Sequence, residues 1–271
     1  MRELETVIYE EAEEGVGVIR LNRPERMNAV VEQMYRDLLT VLDHVEGHEA
    51  TRALVLTGSV RRRPEGDKQA FCAGADLKKH AEGDRTPWQK RDYILLAHET
   101  TRRIYELSKP VIAAVNGPAR GAGSEMAVSC DFILMAETAT IAFPETGLGT
   151  FVGGGVTAHL PRLVGMTQAK RLIYTGEVLD GAAAVACGLA LASTPLEELM
   201  TAAMDLARTI ATKAPISMAF AKEHLQQSPH RDLRTVLQAE ADAILACMTT
   251  DDWAEGIAAF MEKRTPRYRG R

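Results

Sequence analysis

An α/β fold is what this sequence predicts, and three observations carry the prediction. Short apolar runs recur at Val16–Leu21, Ala53–Thr57, Val111–Val115 and Phe132–Ala136, with helically spaced stretches between them. The runs at 53–57 and 111–115 are continuously apolar, the pattern of strands covered on both faces. From Pro195 onward only helical patterns remain. Residues 1–195 therefore read as a strand-and-helix core, and 196–271 as a C-terminal helical region. A chain of 271 residues suffices for one large domain, or a domain with an appendage.

The elements justify themselves in order. Val7–Tyr9 and Val16–Leu21 read as two strands joined by the acidic turn Glu13-Glu14-Gly15, and Asn22-Arg23-Pro24 ends the second. Val30, Met34, Leu38, Leu42 and Val45 form an apolar stripe that predicts a helix over Ala29–Val45. Gly58–Gln69 is a charged loop containing Arg61-Arg62-Arg63, a group suited either to phosphates or simply to solvent. Ala81–Trp88, with Gly83 and Pro87, reads as a mobile loop. A helix is expected over Tyr93–Leu107, with Ile94, Ala97, Thr101, Ile104 and Leu107 on its inner side. Further helices are expected at Gly155–Val164, Thr167–Tyr174, Gly181–Cys187, Pro195–Thr212, Pro215–Gln227, Leu233–Met248 and Trp253–Lys263, with a short strand at Leu189–Ala192. Thr249 or Thr250 caps the last helix, whose face of Trp253, Ile257, Phe260 and Met261 must bury itself in this subunit or a neighbour. The basic tail after Arg264 is expected to be exposed.

Composition removes several classes. A net charge of −5 argues against a dedicated nucleic-acid binder. No apolar run approaches the roughly 20 residues of a membrane span. The acidic N-terminal stretch lacks the pattern of a signal or transit peptide, so cytoplasm is the expected compartment. Cys72, Cys130, Cys187 and Cys247 show no C-x-x-C spacing and read as reduced thiols, Cys72 as packing rather than as a nucleophile. His44 and His48, at i and i+4 beside Glu46 and Glu49, form a polar helix end rather than a metal site, for lack of a further ligand cluster.

The chemistry concentrates between Lys109 and Gly155. The run Val111–Val115 ends at Asn116-Gly117, and the turn Gly121-Ala122-Gly123 opens a helix with Glu125 in its first turn. The run at 132–136 leads to Phe143-Pro144-Glu145 and then to Gly153-Gly154-Gly155. Gly-rich turns let backbone approach a ligand. Unpaired amides at a helix start suit a developing oxyanion. Two carboxylates facing one cavity can divide acid and base work if their environments differ. Either glutamate alone has a bland reading, as a dipole partner or a turn residue; the constellation carries the case.

These residues resemble the crotonase superfamily, the enoyl-CoA hydratase/isomerase family, nearly end to end. The resemblance rests on Leu21-Asn22-Arg23-Pro24, Phe71–Leu77, Lys109–Gly117, Gly121–Glu125, Cys130-Asp131, Phe143-Pro144-Glu145, Leu148–Thr150 and Phe260–Arg264 in this order and spacing. It implies a spiral of ββα turns with a C-terminal helical region that supports trimers or hexamers built as dimers of trimers. It also implies an oxyanion hole from the amides of Ala73 and Ala122, the latter standing where the family usually has Gly. The substrate would be an acyl-CoA thioester held along Ala73, Gly74, Ala75, Asp76, Gly121, Thr150 and Phe151, with no separate cofactor. Phe151 stands where many relatives have a smaller residue, and either reshapes the acyl pocket or is a core aromatic; the 81–88 loop would border the acyl chain. Hydratases have glutamate at both the Glu125 and Glu145 positions, whereas isomerases commonly keep one. The resemblance therefore implies hydration of an enoyl-CoA. A carnitinyl-CoA-type dehydratase, an isomerase or another specialised member is the alternative, and an RNA-binding relative, supported only by Arg61–Arg63 and the basic tail, is a third.

Overall fold

The computed structural model describes residues 1–11, 13–64, 66–81 and 85–271. The part of the 81–88 loop at 82–84, Gly83 included, lies outside the described residues. The chain opens with β1 (Arg2–Glu3), β2 (Val7–Glu11) and β3 (Val16–Leu21), then α1 (Glu32–Glu46), β4 (Ala53–Gly58), α2 (Leu77–Ala81) and α3 (Pro87–Glu106). The central stretch folds as β5 (Val111–Val115), β6 (Ala119–Arg120), α4 (Ala122–Val128), β7 (Phe132–Ala136) and β8 (Thr140–Ala142). After it come α5 (Val156–Val164), α6 (Met166–Thr175), β9 (Leu179–Asp180), α7 (Gly181–Ala186), β10 (Ala192–Thr194) and α8 (Leu196–Ala211). Then α9 (Pro215–Gln227), α10 (Leu233–Met248) and α11 (Asp251–Glu262) complete the chain.

The alternation of strand and helix produces two sheets. A seven-stranded sheet runs β1-β2-β3-β4-β5-β7-β10, antiparallel at β1 to β3 and parallel from β3 onward. Every residue of β4 and β5 is buried, which is why their sequences are apolar without alternation. The smaller sheet holds β6, β8 and β9. Single bridged pairs continue its logic through the chain: Val30 with Ala75, Cys72 with Ala119, then β6 with β8, all parallel. Each turn of the chain thus gives one segment to the large sheet and one to a second row, and successive turns stack as a ββα spiral.

Several boundaries differ from expectation for identifiable reasons. The first helix starts at Glu32 because Val30 instead pairs with the next turn: its amide donates to Gly74 O (2.8 Å), and its carbonyl accepts from Asp76 N (2.9 Å). The next long helix starts at Pro87, well before Tyr93. Thr86 and Gln89 close a reciprocal capping box there, the Gln89 amide donating to Thr86 Oγ1 (3.3 Å) and the Thr86 amide to Gln89 Oε1 (2.9 Å). Ile94 points outward, 50% exposed, and Thr100 takes the inner position expected of it. The strand expected at Leu189–Ala192 forms at Ala192–Thr194, where pairing with Leu134–Ala136 fixes its register. The two-residue strands β6 and β9 and the three-residue β8 are too short for a periodic signal.

The helices after β10 do two things. Leu199, Ala203, Ala207 and Ala211 of α8 are buried, and this face packs on β3, β4, β5 and β7. Lys222 of α9 is buried and donates to Asp131 Oδ2 (2.8 Å) and Lys109 O (3.1 Å), while the same carboxylate oxygen accepts from Val111 N (2.7 Å). Thr250 caps α11 through Trp253 N (3.1 Å). The apolar face of α11 is not covered within the chain: Phe260 is 81% exposed and Met261 74%. Leu237, Ile244 and Leu245 of α10 are exposed as well. The tail after Arg264 is largely exposed, as expected, but it is also docked. Asp252, buried at the start of α11, collects the amides of Arg269 (2.6 Å) and Gly270 (2.8 Å), and Arg52 holds Tyr268 O (2.6 Å). No described helix is long and apolar enough to cross a membrane.

The Lys222–Asp131 pair ties the C-terminal helices to the start of β5. Removing one partner strands a buried charge, so Lys222→Ala is expected to lower the unfolding free energy by about 3–5 kcal/mol, read from the urea midpoint.

Candidate active site

The site is built where two backbone segments approach closely. Residues 69–76, which follow β4, lie along 116–123, which follow β5. Cys72 N donates to Pro118 O (3.1 Å), and Arg120 N to Cys72 O (3.0 Å). Asn116 spans the pair, its amide nitrogen donating to Gly58 O (3.0 Å) and Gln69 Oε1 (3.0 Å). A Cβ on Gly123 would lie 2.3 Å from Cys72 O, so only glycine allows this approach. Gly121 precedes α4 with φ of +50°, which turns the chain so that Ala122 starts the helix. Cys72 is fully buried and its thiol is pushed up to about 12 by burial, as befits a packing residue.

Glu125 and Glu145 are brought together, at 8% and 7% exposure. Glu125 is fixed by α4, itself pinned by Ser124 Oγ donating to Ala142 O (2.7 Å). Its Oε1 accepts the Gly153 amide at 2.7 Å. Glu145 begins a short 3-10 turn, Glu145–Leu148, after the buried Phe143 and the half-buried Pro144. The turn is held by Thr146 Oγ1 donating to Ile173 O (2.8 Å). A Cβ on Gly121 would stand 3.2 Å from Glu145 Oε1, so this carboxylate faces the turn that opens α4. Neither Glu145 oxygen has a hydrogen-bond partner among the other described residues.

Burial raises both carboxyls above their ordinary range, and the remaining causes split them. The Gly153 amide favours the ionised form of Glu125. Glu145 is offset in part by its own amide but raised further by the charge of Glu125. The two environments thus differ in their hydrogen bonds and charges, though burial favours the protonated form of both.

The other predicted residues fall around this pair. Ala73, Gly74 and Ala75 form the segment that meets Gly121: a Cβ on Gly74 would lie 3.8 Å from Gly121 Cα. Their backbone is already partly used, since the Ala73 amide donates to Met27 O (3.0 Å) and Gly74 O accepts from Val30 N. Met27 and Asn28, both left-handed with φ of 54°, aim that carbonyl inward. The Ala122 amide, at the first position of α4, finds no acceptor among the described residues. Asp76 holds Arg23 (3.2 Å) and caps α2 through Lys79 N (3.4 Å). Burial opposes ionisation of Asp76, but the Lys79 amide and Arg23 outweigh it and hold the carboxyl below its usual range. Thr150 is exposed and its amide closes the Glu145 turn onto Glu145 O (3.0 Å). Phe151 is 68% exposed, which removes the core-aromatic reading. Arg61 pairs by backbone with Lys68, and Arg62 with Asp67 (2.5 Å). His48 Nδ1 contacts Glu11 (2.8 Å) and Thr51 (3.1 Å), and no group of three possible metal ligands occurs among the described residues.

Two features escaped the sequence reading. Tyr35 and Tyr93 stack obliquely at 5.7 Å, and both hydroxyls are held protonated by burial, with the charge of Glu125 adding to it. His98 faces Glu125 across Gly153. It sits between Ala97 and Thr101, both read as inner positions of the helix, and that adjacency was the available signal.

Such a spiral, with two buried carboxylates at the meeting of two tight turns, defines a crotonase-fold protein. Residues 11–271 match the enoyl-CoA hydratase/isomerase family. A short-chain-enoyl-CoA hydratase of Clostridium acetobutylicum is 36% identical, covering 97% of each chain. A crotonyl-CoA hydratase of Syntrophomonas wolfei is 36% identical over 97% of this chain and 98% of that one. The crystal structure of an enoyl-CoA hydratase from Bacillus anthracis superposes with a TM-score of 0.92 at 37% identity, covering 98% of this chain and all of the other. The chain belongs to the enoyl-CoA hydratase/isomerase family.

A buried carboxyl with a raised pKa favours the fold when protonated and loses that advantage as pH rises through its folded-state value. Glu145→Gln is therefore expected to raise the thermal midpoint by a few degrees at pH 8. The gain should shrink as pH falls from the raised folded-state value toward the ordinary carboxylate range and be gone below it, which differential scanning calorimetry across pH checks.

Proposed function

We propose that this protein is an enoyl-CoA hydratase, adding water across the α,β double bond of an acyl-CoA thioester. The observation that carries the reading is the pair of buried glutamates, held in different hydrogen-bonding surroundings, beside the α4 turn. Glu125, favoured as the anion by the Gly153 amide, takes a proton from water as its oxygen attacks Cβ. The electron pair of the double bond moves toward the thioester carbonyl, and the enolate oxygen gathers negative charge. Glu145, favoured as the acid, delivers its proton to Cα, and the carbonyl re-forms. Water is thereby added in full, and exchange with solvent returns each carboxyl to its starting state. Coenzyme A belongs to the substrate, and the sequence of steps calls on no further cofactor.

The enolate oxygen is assigned to the amides of Ala122 and Ala73, each such donor being worth about 3–4 kcal/mol in comparable sites. The two are not equivalent. Ala122 has a free amide, whereas Ala73 must share or release Met27 O. The segment Ala73–Asp76, with Gly121, Thr150 and Phe151, is assigned to the substrate on the same reasoning. The exposed apolar residues of α10 and α11 support assembly as a trimer or hexamer, which analytical ultracentrifugation reads directly.

Crotonyl-CoA hydration, followed as loss of the conjugated enoyl absorbance, tests the reading. Glu125→Gln and Glu145→Gln are each expected to lower kcat by about 10²–10⁴-fold with little change in thioester affinity. Activity in either variant within a few-fold of wild type would remove that residue's role. The pH profile of kcat/KM should be bell-shaped, with both limbs above the ordinary carboxylate range and belonging to the pair. The alkaline limb should disappear in Glu145→Gln. Proline is tolerated at the first position of a helix, so Ala122→Pro deletes one donor without breaking α4. It should cost about 10²–10³-fold in kcat, and unaltered turnover would exclude that amide.

A further inference from the structure

The hydratase reading leaves His98 without a task. It lies on α3 between Ala97 and Thr101, which are buried, while its own side chain is exposed. A Cβ placed on Gly153 would stand 3.2 Å from His98 Nε2, and 3.2 Å and 3.3 Å from the two oxygens of Glu125. Imidazole and carboxylate thus converge on one small volume beside a residue that has no side chain to fill it, and no hydrogen bond joins them directly. Thr101 Cγ2 would stand 3.1 Å from a Cβ on Gly154, so this face of α3 forms the wall opposite Glu125.

On the hydratase reading Cβ of the acyl chain lies at Glu125, and the carbon beyond it is assigned to the space beside this wall. An alkyl tail there would strip water from the imidazole and offer nothing in return. An oxygen on the tail would accept the hydrogen of Nε2 or, as a hydroxyl, donate to it. We propose that His98 is a specificity-determining residue that selects enoyl-CoA thioesters bearing a hydroxyl or carboxylate on or next to the first carbon beyond Cβ. The proposal rests on the hydratase reading and narrows its substrate class.

Three thioesters with a common core test it: crotonyl-CoA, 4-hydroxycrotonyl-CoA and glutaconyl-CoA, whose tails end in methyl, hydroxyl and carboxylate. The wild type should favour at least one oxygenated substrate over crotonyl-CoA by about tenfold in kcat/KM, the discrimination of one hydrogen bond. Which of the two gains identifies hydroxyl or carboxylate. His98→Leu should abolish that preference, and His98→Gln, which keeps a donor, should restore part of it. A preference for crotonyl-CoA in the wild type, or ratios unchanged within about threefold in His98→Leu, overturns the assignment while leaving the hydratase reading intact. Hydration of none of the three by the wild type removes both.

Discussion

The close backbone approach between residues 69–76 and 116–123 is the constraint on which the site depends. Gly123 admits the Cys72 carbonyl to a place that any side chain would occupy. That contact sets Ala122 at the start of α4 beside the Ala73 segment, and α4 in turn delivers Glu125. Without it, the two turns would stand apart and no common volume would exist for a thioester. The parallel bridges between Cys72 and Ala119, and between β6 and β8, extend the same stacking to the turn that carries Glu145. The site is therefore a product of the spiral, because each functional group comes from a different turn of it.

Burial alone would raise both glutamates equally in kind and give no direction to the chemistry. The two glutamates differ in which amide each accepts and in the charge each faces. Gly153 donates to Glu125, and the charge this favours then works against ionisation of Glu145. The absence of a partner for Glu145 among the other described residues has the same sense, since a neutral acid tolerates such surroundings far better than an anion. A glycine loop distant in sequence thus gives different surroundings to two residues that look interchangeable in the chain, and the proposed roles follow from that difference.

Legibility in the sequence followed the scale of the interaction. The spans of α9 and α10 were readable to the residue because proline starts the one and a long helical pattern fills both. The central strands of the large sheet, β3 to β5 and β7, were readable as apolar runs, continuous in β4 and β5 where both faces are buried, whereas its outer strands β1 and β10 were missed or misplaced. The small sheet was not, since strands of two or three residues exist only through their pairing with neighbouring turns. The glutamates stood out through their glycine-rich settings, and the resemblance added what their pairing means. The relation of His98 and of the Tyr35–Tyr93 pair to Glu125 did not stand out, because it depends on how α3 packs against α4 and α1 and on where Gly153 lies, and the adjacency of His98 to inner positions of α3 was too weak a signal to show it.

The two amides assigned to the enolate differ because they come from different kinds of structure. Ala122 owes its free N–H to being the first residue of a helix, where no intrahelical acceptor exists. Ala73 lies in an extended segment that pairs with the loop after β3, and two consecutive left-handed residues, Met27 and Asn28, turn a carbonyl onto it. Asn28 fixes that loop through Ser59 O (3.0 Å) and Ala70 O (2.8 Å), so the carbonyl is not free to swing away. On the proposed reading, a thioester oxygen would meet one donor ready to use and one it must share. The methyl group of Ala122 leaves the ready donor in place, so the proposed mechanism assigns the greater part of the oxyanion stabilisation to the start of α4.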